Sequence, residues 1–91
     1  MSSTAEEVWT TLASWPLGWF IGDYRGRRYG ITRSVHAEGR SMKLFAEELG
    51  GPDRISLNIF APPTGAPTLK PCEMPVDKVT AFVLGAMPET P

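Results

Sequence analysis

The sequence predicts an α+β fold: an antiparallel meander of four to five strands, with an N-terminal and a C-terminal helix packed on it. Three observations lead there. Helical periodicity is confined to the two ends of the chain. Glycine and proline punctuate the middle at short intervals, as turns between short strands require. Folded at those turns, the middle sorts its side chains onto one apolar and one largely polar face.

At the N-terminus, Ser3-Thr4-Ala5-Glu6 has the form of a capping box with Ser3 as N-cap. Val8, Leu12 and Trp15 follow at i, i+4 and i+7, widened by Ala5 and Trp9, and Pro16 and Gly18 end the helix. A two-residue loop at Gly26-Arg27, with glycine first as a type II′ turn requires, sets Tyr24 opposite Tyr29 and Phe20 opposite Arg33. A second loop at Glu38-Gly39 sets Val35 opposite Met42 and Ile31 opposite Ala46. The two hairpins agree on one apolar face: Phe20, Tyr24, Tyr29, Ile31, Val35, Met42, Leu44 and Ala46, with Arg33 its lone exception. Ser41–Leu49 also carries helix-forming residues, and the closing register favours strand. A fourth strand, Ile55–Ile59, follows the Gly50-Gly51-Pro52-Asp53 turn, and a Pro-rich loop leads to a short edge strand at Leu69–Cys72. The last helix starts with Pro75 at its first position and carries Val76, Val79, Phe82 and Val83 on one stripe, with Gly85 as its C′ residue.

Ninety-one residues amount to one domain, 1–91, with 42% apolar and 21% charged residues, as in an ordinary globular protein. A net charge of −1 excludes a polyelectrolyte, yet six basic residues and a single acid lie between Tyr24 and Lys43, leaving the rest at −6. One cysteine and one histidine exclude a disulfide framework and a Cys/His zinc site; no cofactor and no metal are expected. The first seven residues lack the basic and apolar regions of a signal peptide, and no apolar run approaches the ~20 residues of a membrane span. A soluble cytoplasmic protein is the expectation.

Chemistry-bearing constellations are few. The polar face gathers Asp23, Arg25, Arg28, Thr32, Ser34, His36, Ser41, Lys43 and Glu47, with Trp19, Ile21 and Phe45 stranded among them. Arg25, Arg28, His36, Lys43 and Phe45 are the candidate binding residues, since clustered charge beside an exposed ring suits a partner surface. An unidentified protein partner or small ligand is the first expectation. Weak single-stranded nucleic-acid binding through the Arg-rich hairpin is the second, although no RNP-type run accompanies it. Cys72, near Lys70 and a helix start, is a possible reactive thiol, as of a thiol-dependent enzyme with His36 as the sole histidine base or of a redox protein, or simply a small packed residue. Gly18, Gly22, Gly26 and Gly30 form no phosphate loop and are explained by turns and close packing under aromatic rings. The stretches 29–51 and 70–75 have the general look of small bacterial proteins without the motif of a named family. A non-enzymatic binding module is the reading these residues favour.

Overall fold

A computed structural model describes residues 4–89. Ser3, the expected N-cap, lies outside the described residues. The order is α1 (Thr4–Ala13), β1 (Gly18–Tyr24), β2 (Arg27–His36), β3 (Ser41–Glu48), β4 (Arg54–Phe60), β5 (Thr68–Pro71), α2 (Val76–Gly85) and β6 (Met87–Pro88). All pairings are antiparallel, in the spatial order β5-β4-β3-β2-β1-β6. Five strands form the expected meander, and the chain then crosses over α2 to add a two-residue sixth strand beside β1.

Both helices lie on one side of the sheet, touching each other, with α2 also against β4 and β5. The stripe Val8, Leu12, Trp15 is buried against Phe20, Tyr29, Ile31, Leu44, Ile55, Leu57 and Ile59, as alternation on the strands and 3.6-residue spacing on the helix demand. Phe82 anchors α2 by edge-on contacts with Tyr24, Tyr29 and Trp15, at centroid distances of 5.1, 5.0 and 6.4 Å. No helix among the described residues is long and apolar enough to cross a membrane.

The β2–β3 register is the expected one, with Val35 opposite Met42 and Ile31 opposite Ala46. The β1–β2 register differs by two residues. Arg25 and Gly26 form the turn, both at positive φ (52° and 76°), so Tyr24 pairs with Arg27 and Phe20 with Ile31. Two positive φ values give the primed turn whose twist matches the strands, and glycine takes its second position rather than its first. The shift also sets Gly18 opposite Arg33. A shift of two residues preserves side-chain faces, which is why the predicted apolar face is still the buried one.

Other details depart from expectation. Val35 and Val76 are exposed, Val35 although Met42 opposite it is buried, and Val76 at the open start of α2. Pro75 is the N-cap of α2 rather than its first helical residue. Gly85 is the last helical residue, followed by an extended Ala86, so it makes no left-handed cap. A Cβ there would lie 3.1 Å from Cε1 of Tyr24; the glycine admits an aromatic ring.

The edges of the sheet have a common feature. Cys72 N–H donates to the Ser56 carbonyl, so the even-numbered residues of β5 bond inward and positions 67, 69 and 71 face outward. Two of those three are proline. At the other edge Glu89 N–H donates to the Ile21 carbonyl, which turns Pro88 outward. Proline has no N–H to offer an added strand, so β5 and β6 are poor templates for extension, although β6 covers only Gly22 and Asp23 of β1.

Candidate functional site

The helices cover one side of the sheet and leave the other open. Alternation along β1 to β5 brings outward side chains into rows across the strands. Trp19, Thr32, Phe45 and Ser56 form the central row, and Cys72 extends it through its bond to Ser56. Ile21, Gly30, Glu47 and Arg54 form the row on one side. Ser34, Lys43, Asn58 and Lys70 form the row on the other, and His36, Ser41, Phe60 and Thr68 follow beyond it.

The apolar members are large and exposed. Trp19 is 62% exposed, Leu49 44%, Phe60 43% and Phe45 36%. Trp19 lies across Gly30 on the neighbouring strand: a Cβ on that glycine would stand 3.0 Å from the indole Nε1 and 3.4 Å from Leu49 Cδ2. The bare backbone at Gly30 therefore forms a seat for the ring. This is close packing under an aromatic residue, as the glycine spacing suggests. At the β4–β5 end, Asn58, Phe60, Thr68 and Lys70 line a shallow hollow of about 360 Å³.

The candidate residues do not form one cluster. Lys43 and Phe45 are central on the open face, two positions apart on β3. His36 is at the far end of β2, where its Nε2 is 2.9 Å from Ser34 Oγ. Arg28 is engaged in ion pairs with Glu89 (2.5 Å) and Asp23 (3.8 Å). Arg25 belongs to the β1–β2 turn, not to the open face, and its guanidinium sits 5.2 Å from the centroid of the Tyr24 ring. Arg27 pairs with Glu48 at 3.6 Å. Arg33 is buried on the helix side, where burial lowers its pKa, although arginine stays charged. The basic excess of residues 24–43 is thus spread over two ends and two faces of the sheet rather than collected in one patch.

Cys72 Sγ accepts from Asn58 Nδ2 at 3.6 Å and is partly covered. His36 lies on β2 and Cys72 beyond β5. Three strand spacings of about 4.8 Å across the sheet, and four residues of about 3.3 Å along it from Thr68, which shares the row of His36, put the two roughly 20 Å apart, so they form no dyad. Among the described residues no group of three or more His, Cys, Asp or Glu could hold a metal ion.

Trp19 was legible as an apolar residue on the polar face. Phe60, Lys70 and Arg54 were missed as face residues. Arg54 and Phe60 lie one residue outside the Ile55–Ile59 strand, and Lys70 joins the row only through the β4–β5 register. Among known proteins, the chain matches no family model, no curated protein and no solved structure.

Proposed function

We propose that this chain is a non-enzymatic binding module whose open sheet face docks a protein partner. One observation carries the reading: Trp19, Phe45, Phe60 and Leu49 stand exposed on the side of the sheet that no helix covers. Aromatic residues are enriched at protein interfaces, where they bury much area at little entropic cost. The surrounding charges are of both signs, with Lys43, Lys70 and Arg54 beside Glu47 and Asp23, which suits a protein surface better than a phosphate backbone.

Nucleic-acid binding through the Arg-rich hairpin has less support, because Arg33 is buried and Arg27 and Arg28 are ion-paired. The test is affinity capture with the wild-type chain, Trp19→Ser and Phe45→Ser. Both side chains point away from the core, so the variants should fold and lose the captured protein. Retention of every partner by both variants sinks the reading. Selective amide shifts in β3 and β4 on adding single-stranded oligonucleotide at low and moderate salt would favour nucleic acid instead.

A further inference from the structure

Resting on that reading, we propose that the occupant of the open face is a second copy of this chain. The two copies meet about a two-fold axis through Phe45, with β3 of one protomer antiparallel over β3 of its partner. Three observations converge on this arrangement.

The first concerns charge. Lys43 and Glu47 flank Phe45 on the open face of β3, equidistant from it and opposite in sign. Neither makes an ion pair among the described residues. A two-fold axis in the plane between the sheets and perpendicular to β3 places each Lys43 over the partner's Glu47. An axis parallel to β3 instead stacks lysine on lysine and glutamate on glutamate. β3 itself is therefore self-complementary in one orientation and self-repelling in the other, the property an isologous interface needs, while Arg54 falls over the partner's Asn58 in the favoured orientation.

The second concerns what lies on the axis. The central row maps onto itself, so Phe45 meets the partner's Phe45 and Trp19 the partner's Trp19. Sheets packed face to face stand about 10 Å apart, a gap that these rings fill from both sides. Leu49 is carried to the opposite end of the partner's sheet, beside the partner's Phe60.

The third concerns extent and alternatives. Five strands at about 4.8 Å and about seven residues at 3.3 Å give a face of about 550 Å² per protomer. Two such faces total about 1,100 Å², just above the ~1,000 Å² expected of a specific interface. Pro67, Pro71 and Pro88 meanwhile remove N–H donors from the two outer strands, which weakens strand addition at β5 and β6 relative to packing through the face.

Sedimentation of the purified wild-type chain from about 1 µM to about 1 mM tests the proposal, with a concentration-dependent dimer expected. Lys43→Glu and Glu47→Lys should each weaken it about tenfold or more, since each turns two attractions into two repulsions. An equimolar mixture of the two variants should recover association as a heterodimer, because one β3 is then wholly acidic on this face and the other wholly basic. Circular dichroism of each variant controls for folding. A wild-type chain that stays monomeric overturns the two-fold interface. So do single variants that associate like the wild type, or a mixture no tighter than its components. The docking reading fails separately, by the capture experiment with Trp19→Ser and Phe45→Ser.

Discussion

Arg33 Nη1 donates to the main-chain carbonyl of Trp15 at 2.8 Å, linking the buried face of β2 to the end of the first helix. α1 has no basic residue in its last turn, and the Arg33 cation holds the chain two residues after α1 ends. Nη2 reaches Met42 Sδ at 3.4 Å, while Nε has no partner. Arg33→Ala removes a charge-assisted bond and leaves a void, and should cost about 2–4 kcal/mol in urea unfolding. Arg33→Met keeps much of the volume and removes a costly buried charge, so it should cost less than the alanine variant. An alanine variant within about 0.5 kcal/mol of wild type would contradict the helix-anchoring role.

The same residue marks what the sequence could and could not disclose. Period-2 alternation placed Arg33 on the apolar face as an exception, and the side chain is indeed there. Its carbonyl partner depends on where α1 ends over the sheet, a tertiary fact with no local signature. The Arg25-Gly26 turn departs from expectation for a related reason: two turn chemistries compete for one glycine, and no local signature decides between them. For the open face, alternation alone identified Trp19, Lys43 and Phe45. Arg28 looked equally free, but Glu89, from the far end of the chain, occupies it. Nothing in the local pattern announced the short β6 that positions Glu89, since a two-residue strand carries no periodicity.

Gly30→Ala tests the seat beneath Trp19. The new methyl group would stand 3.0 Å from the indole Nε1, which is free to tilt outward because nothing covers it. The expected result is a stability change within about 1 kcal/mol, with a red-shifted tryptophan emission as the ring moves further into water. Unchanged emission and unchanged indole N–H resonances would show that the ring does not depend on that seat.

Pro71 takes an outward position of β5 and Pro67 the outward position just before the strand, where an added strand would seek N–H donors. Replacing both with threonine restores two donors on an edge that already presents Leu69. Pro67→Thr/Pro71→Thr should therefore gain oligomers or aggregates beyond the wild type in light scattering at equal concentration. A double variant that scatters like the wild type would show that the short length of β5, not proline, protects this edge.

Tyr29, Asp53 and Lys78 join β2, the turn before β4 and the first turn of α2. Tyr29 Oη donates to Asp53 Oδ2 at 2.6 Å, and Lys78 Nζ lies 2.7 Å from Asp53 Oδ1. The bond from Lys78, then that from Tyr29, holds the Asp53 carboxyl below its ordinary pKa. A depressed carboxylate adds stability above the unfolded value of about 3.9, and that stability fades as pH falls through the folded value. Burial, reinforced by the bond to Asp53, pushes the Tyr29 phenol up to about 12. For a raised phenol the sign is reversed. The stability is complete below about pH 10 and lost as pH rises toward 12, by on the order of 2–3 kcal/mol. Urea midpoints across pH should therefore fall at both ends for the wild-type chain. Asp53→Asn should flatten the acid limb and weaken the alkaline one, whereas Tyr29→Phe should remove the Tyr29 contribution to the alkaline limb and leave the bond from Lys78 to support Asp53 in acid. An alkaline limb unchanged in Tyr29→Phe would mean that the phenol is not the group titrating there.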